Sequence, residues 1–160
     1  KLPRNSSSDN NLKNHKKHTY FREKMKYKYL KDLTSDVMFE AYGKDLKEVF
    51  ENAAEAMFET ICQLDKVKPL KKLEVNIQSD SVEDLLYYWL QQLIALVDIE
   101  EMFFSKFEIK EIKDNTLRAD IYGEPITPEK GETLVKAVTN YKFNLEKVKE
   151  GYKATVSLDI

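Results

Sequence analysis

Beyond Phe103 the apolar side chains settle on a two-residue period, and that change of rhythm most limits what the chain can fold into. Phe103, Phe107 and Ile109 share one phase, as do Leu117, Ala119 and Ile121, then Tyr141, Phe143 and Leu145, and last Tyr152, Ala154, Val156, Leu158 and Ile160; Leu134 to Thr139 adds a further apolar run. Strands with one buried face have this period, and turn residues part the runs at Asp114-Asn115, Gly123 to Gly131 and Glu150-Gly151. The period is helical only upstream. Leu46, Val49, Phe50, Ala53, Met57, Phe58 and Ile61 follow Asp45, which has Glu48 at capping-box spacing. Val82, Leu85, Leu86, Trp89, Leu90, Leu93, Ile94 and Val97 follow Ser81, with Asp84 at the third helical position. Trp89 thereby has a helical-core explanation and needs no ligand. Tyr27 to Leu30, Val37 to Tyr42 (ended by Gly43) and Leu73 to Gln78 alternate as strands. Two amphipathic helices packed on about six or seven mostly antiparallel strands predict a single α+β domain.

Length agrees, since 160 residues suit one domain and a tail. Residues 1–26 hold eight basic side chains against Asp9 and Glu23, a local balance of +6, while the remainder, 18 basic against 26 acidic, stands at −8. With Ser6 to Asn11 in its middle and few apolar residues, this stretch reads as a disordered basic tail, and 27–160 as the folded domain. Affinity for RNA needs Lys and Arg to release condensed counterions, so any direct contact is expected to be weak and to come from the tail. The tail's basic run is read as either a solvated arm or a nuclear-import or RNA-contacting patch. The greasiest segment, Val82 to Val97, is broken by Glu83, Asp84, Gln91 and Gln92, so a soluble monomer that does not engage membranes is expected. One cysteine, Cys62, has no partner with which to bridge, which suggests a reducing compartment, cytoplasmic or nuclear. The chain starts with Lys1, so an upstream leader stays open.

Several chemistries lack their parts. Both histidines, His15 and His18, fall in the tail, so no nucleophile in the domain has an imidazole base, and His15-x-x-His18 alone makes a poor zinc site. The glycines Gly43, Gly123, Gly131 and Gly151 are isolated and read as turn residues, so none forms a phosphate-cradling loop. Cys62, on the last turn of the first helix, reads as a small structural residue. Carboxylates remain. Asp36 borders a turn with Asp32, Thr34 and Ser35, and Asp159 takes the polar phase of the last strand beside Ile160 and its terminal carboxylate. If that strand pairs with Val37 to Tyr42, Asp36 and Asp159 meet at one end and offer a hard cation such as Ca²⁺ or Mg²⁺ an all-oxygen site. The alternative makes Asp36 a turn residue bonding its own backbone and Asp159 a solvated end.

These residues together resemble the archease family. The similarity runs through Tyr27-Lys28-Tyr29-Leu30, Thr34-Ser35-Asp36-Val37, Ala41-Tyr42-Gly43, Glu51-Asn52-Ala53-Ala54 and Trp89-Leu90-Gln91-Gln92-Leu93. It continues through Phe104-Ser105-Lys106-Phe107-Glu108, Tyr122-Gly123-Glu124, Val135-Lys136-Ala137-Val138-Thr139 and Ser157-Leu158-Asp159-Ile160, covering 27–160 in order. The resemblance implies a non-catalytic accessory protein of the RtcB-type RNA ligase of tRNA splicing, which promotes guanylylation of the ligase and its multiple turnover. It further implies a divalent cation, Ca²⁺ with Mn²⁺ and Mg²⁺ as alternatives, held by Asp36, Asp159 and the main chain of Ile160. Two family histidines are replaced. The His-Thr-Ala-Asp stretch reads Leu33-Thr34-Ser35-Asp36 here, and Lys-Ala-Val-Thr-Tyr-His reads Lys136-Ala137-Val138-Thr139-Asn140-Tyr141-Lys142. Two other readings are a chaperone-like α+β interaction domain without a metal role and a metal-dependent hydrolase, the latter disfavoured by the lack of histidine in the domain.

Overall fold

Each helix starts where its cap predicts. In the computed structural model, which describes residues 25–31 and 36–160, the first helix, α1, spans Leu46–Ile61, and the Asp45 carboxylate accepts from the Glu48 N–H at 2.9 Å. Glu48 reaches back to the N–H of Lys44 (3.3 Å) rather than to that of Asp45, one residue beyond the usual capping box. The second, α2, spans Val82–Glu100, with Ser81 Oγ accepting from the Asp84 N–H at 3.1 Å. It stops at Glu101, which turns left-handed (φ 54°) and hands the chain directly to a strand.

Among the described residues seven strands fall in two antiparallel sheets. The first has the order β1 (Tyr27–Leu30), β2 (Val37–Gly43), β7 (Gly151–Asp159), β6 (Ala137–Val148); the second has β3 (Lys71–Gln78), β5 (Thr116–Pro125), β4 (Met102–Lys113). Both helices are shared between them: α1 packs on β2 and β7 of one sheet and β4 of the other, and α2 on β6 of the first and β3 and β4 of the second. Phe39, Ala41, Ala154, Val156 and Leu158 of the first sheet join Phe104, Leu117, Ala119 and Ile121 of the second and the apolar faces of both helices in one core. Trp89 ties the helices to each other. It is fully buried, its indole N–H donates to the Phe50 carbonyl at 3.0 Å, and its ring meets Phe107 edge-on at 6.5 Å. Asn52 does the same between α1 and β2, donating to the Tyr42 carbonyl at 2.7 Å. Among the described residues no helix is long and apolar enough to cross a membrane.

The α+β architecture follows the periodicity, with three departures. The two runs around Thr139 are one strand, β6, interrupted between Thr139 and Asn144, where four residues stand opposite Val156 alone and Lys142 has φ 53°. Leu134, counted among that strand's apolar residues, precedes it and is exposed. Ile160 lies past the end of β7 and is 39% exposed, so it does not continue the inward face of Ala154, Val156 and Leu158. Gly43 and Gly123 are strand residues rather than turns, and both answer to crowding. A Cβ on Gly43 would sit 2.2 Å from the Val49 nitrogen, and one on Gly123 would sit 1.9 Å from the Phe103 carbonyl oxygen, so only glycine lets these backbones approach. Of the expected tail, residues 1–24 lie outside the described residues. Lys26 belongs to the fold, since its carbonyl accepts from the Tyr42 N–H at 2.8 Å beyond the β1–β2 ladder.

Candidate metal centre

The order β2–β7 brings the two carboxylates singled out in the sequence to the same end of one strand pair. Val37 pairs with Leu158, Met38 with Ser157 and Phe39 with Val156. The ladder stops at Val37–Leu158, so Asp36, the residue before β2, and Asp159, the last residue of β7, both lie just past that end, where one further step of the register would place them across from one another. Cross-strand partners share a face, and with Phe39, Ala41, Val156 and Ala154 turned to the core, Asp36 and Asp159 take the opposite face. On the other flank Asp159 pairs with Ala137 of β6, and its carbonyl also accepts from the Lys136 N–H at 2.8 Å. Its main chain is therefore turned toward β6 and away from β2. One step beyond the ladder, Asp36 and Asp159 would then stand at a non-hydrogen-bonded position, the kind in which opposed side chains come nearest.

Both aspartates are half-buried, and among the described residues no salt bridge or side-chain hydrogen bond engages either carboxylate. The next row on the same face is Met38, Ser157 and Thr139. Ser157 is 1% exposed, and its hydroxyl and that of Thr139 are buried without a hydrogen-bond partner among the described residues. Buried hydroxyls are rarely left so. A pair of carboxylates backed by two such oxygens suits a hard cation, and Ile160, an exposed residue, follows Asp159 at the rim. No cluster of three or more His, Cys, Asp or Glu side chains occurs among the described residues, so the remaining coordination positions would fall to main chain, water or a partner. Leu33, Thr34 and Ser35 lie outside the described residues, as do His15 and His18. Lys142, at the second replaced histidine, rides on the bulge of β6 with its ammonium 5.2 Å from the centre of the Tyr141 ring.

Other groups with chemistry to offer are already committed. Cys62 is 1% exposed, its thiol donates to the Phe58 carbonyl at 3.3 Å, and burial, helped by nearby Glu132, pushes its pKa up to about 12. Glu124 is buried with the Lys130 ammonium bonded to it, and this contact, reinforced by Lys68, holds its carboxyl below the usual glutamate range. A cleft of about 670 Å³ runs between β3, α2 and the start of β6, past Ile77, Tyr88, Gln92, Asp98 and Lys136. Sequence reasoning noted Gln91 only as a break in the apolar run of α2, and its bond to the Val138 N–H had no local signal, since it lies on the flank of the helix away from the apolar face.

Comparison with known proteins finds relatives over most of the chain. The model of the Archease protein family (MTH1598/TM1083) matches residues 27–160. Protein archease of Methanosarcina acetivorans is 43% identical over 141 residues, covering 84% of this chain and 96% of its own. The solution structure of protein 1598 of Methanobacterium thermoautotrophicum superposes with a TM-score of 0.73 at 36% identity, over 84% of this chain and 99% of that one. An archease of Thermotoga maritima, described with its crystal structure as a possible chaperone, shares the fold at a TM-score of 0.60 and 17% identity, over 83% of this chain and 97% of its own. With a family match over the entire folded region and relatives of this identity and coverage, the chain belongs to the archease family.

Proposed function

We propose that this chain is a non-catalytic accessory protein that activates an RtcB-type RNA ligase in tRNA splicing, promoting the ligase's guanylylation and multiple turnover. In this reading Asp36, Asp159 and the main chain of Ile160 hold a divalent cation, Ca²⁺ or in its place Mn²⁺ or Mg²⁺, and present it to the partner. The observation that carries it is the β2–β7 register, whose last pair, Val37 with Leu158, is flanked by two carboxylates otherwise unengaged among the described residues. The bound cation would supply positive charge to phosphate oxygens. The chain's own residues supply the rest: two carboxylates fixed on neighbouring strands of a sheet rather than on a loop, and an exposed residue, Ile160, beside them.

Cys62 is held as a protonated, buried thiol, so the one cysteine does not serve as a nucleophile here. The remaining acidic surface repels free RNA, which leaves contact with RNA indirect or limited to the basic N-terminal residues.

The experiment is a guanylylation assay of the cognate ligase with and without this chain, repeated with Asp36→Asn and Asp159→Asn across a Ca²⁺ and Mn²⁺ titration. Stimulation by the wild type that both substitutions abolish supports the reading. Equal stimulation by all three proteins would favour a chaperone-like interaction domain without a metal role, the kind of description the Thermotoga maritima protein carries. No stimulation by the wild type would remove the ligase from the account.

A further inference from the structure

One turn apart on α2, Tyr87 and Gln91 both end on a single residue of β6. Gln91 Oε1 accepts from the Val138 N–H at 2.9 Å, the Tyr87 hydroxyl donates to the Val138 carbonyl at 3.1 Å, and Gln91 Nε2 donates to the Tyr87 oxygen at 3.2 Å. The ring closes. Gln91 must present its oxygen to the N–H and its nitrogen to the phenol, which fixes the amide's orientation without appeal to anything else.

The reason such a device is needed lies in the sheet order. Among the described residues β6 is an edge strand, with β7 on one side and no strand on the other. Val138 is 2% exposed, so its N–H and C=O, both turned from β7, lie where water does not reach them. Two side chains of α2 stand in for the missing strand at this one residue. Strand alternation then turns Ala137 and Thr139 toward β7, where they pair with Asp159 and Ser157. The Lys136 N–H adds its bond to the Asp159 carbonyl. Just past Thr139 the ladder is interrupted, and pairing resumes only at Asn144. The short segment 136–139 is thus separated from the rest of β6 by the bulge, and its anchorage on the outer side is the pair of side chains from α2.

We propose that Gln91 and Tyr87 are positioning residues for the Asp36–Asp159 centre, fixing through Val138 the strand segment that holds the main chain of Asp159. The proposal rests on the reading of Asp36 and Asp159 as cation ligands. It gives α2 a role at the centre although none of its residues is a ligand. Substituting Gln91 frees segment 136–139 to shift against β7, and the Asp159 carboxylate then loses its fixed place opposite Asp36. The cost falls on affinity and leaves the ligand atoms in place, as for other groups that orient metal ligands from behind.

The test is calorimetric titration of Ca²⁺, and in parallel Mn²⁺, into wild type, Gln91→Met, Tyr87→Phe and Gln91→Glu, with amide hydrogen exchange measured on the metal-free proteins. Gln91→Met keeps the length of the side chain and removes both its hydrogen bonds; it is expected to weaken cation binding about ten-fold or more. Tyr87→Phe, which alters no volume of consequence, is expected to do the same to a lesser extent. Gln91→Glu, which keeps an acceptor for the Val138 N–H, is expected to recover most of the loss. Exchange of the Asp159 amide should quicken in Gln91→Met while the Phe39 amide, on β2, stays protected, a local signature that general destabilisation would not give. A wild-type titration with no binding overturns the cation reading and the positioning role with it. Wild-type binding that Gln91→Met and Tyr87→Phe both leave unchanged overturns the positioning role alone. Should Gln91→Met fail to fold, Tyr87→Phe decides the matter by the same two readouts.

Discussion

Replacing either aspartate by asparagine should move stability in opposite directions with and without a cation, and the two sizes can be worked out. Directly opposed residues at a non-hydrogen-bonded position have Cβ atoms about 4.5–5.5 Å apart, so the carboxylate centres stand roughly 6 Å from each other. Both residues are half-buried and reached by water, so a water-like dielectric applies, and the repulsion is about 0.7 kcal/mol before salt and roughly half that at physiological ionic strength. Asp159→Asn or Asp36→Asn without metal should therefore raise the melting temperature by only about 1–3 °C. A cation at a hundred times its Kd should stabilise the wild type by about 2.7 kcal/mol, or roughly 5–11 °C for a chain of this size, and should leave both variants where they were. Thermal melts followed by circular dichroism, with chelator and with Ca²⁺ or Mn²⁺ at low and at 0.5 M salt, separate the contributions. The repulsive part should fade with salt and the cation-dependent part should largely persist. A wild type indifferent to every cation, or variants that respond as the wild type does, would refute the assignment of these two carboxylates even with the family membership intact.

Three other outcomes are expected. Cys62 should react with a thiol reagent at pH 8 only as fast as the protein opens, because it is buried and its pKa lies near 12, and a rapid stoichiometric burst under native conditions would contradict the packing; its raised value also means that stability erodes as pH climbs from about 9 toward 12, a slope Cys62→Ala should flatten. Glu124, whose carboxyl is held down by Lys130, contributes stability that is complete above the ordinary glutamate range and lost as pH falls through its lowered value, so urea unfolding of Glu124→Gln should differ most from wild type near neutral pH and converge with it in acid. Trp89→Phe should cost about 2–3 kcal/mol by urea unfolding, from the cavity and the lost bond to the Phe50 carbonyl, and a cost under about 0.5 kcal/mol would show that the contact between helices is not tightly packed.

How much of this was legible beforehand depends on whether the information is local. The helices were, because Asp45, Ser81 and the apolar spacing act within a few residues, and both caps form as the spacing requires. Strand β6 was less so. The four residues opposite Val156 break its alternation, so the apolar phase before Thr139 and the phase after Asn144 do not join on paper. Gly43 and Gly123 read as turns because a glycine in a sequence announces only freedom, whereas the demand they meet is set by Val49 and Phe103, each brought there by the fold.

The centre divides along the same line. Alternation alone puts Asp36 and Asp159 on polar phases, but their meeting requires β2 and β7 to be neighbours, a pairing of the two ends of the domain that no local rule supplies. Once that neighbourhood is given, the register that buries Phe39 against Val156 and Ala41 against Ala154 leaves the carboxylates no other place, since a slip of one residue would turn the whole inward face to solvent. The core thus sets both acids at the same end of the ladder, where the chain leaves the sheet. Packing cannot hold the last residue of β7 from beyond its own end, so its outer flank has to be secured sideways, through Ala137 and Lys136 of β6. That requirement accounts for a glutamine and a tyrosine held half-buried at the flank of α2, beside its apolar face rather than on it: their polar ends are the ones the edge of the sheet needs.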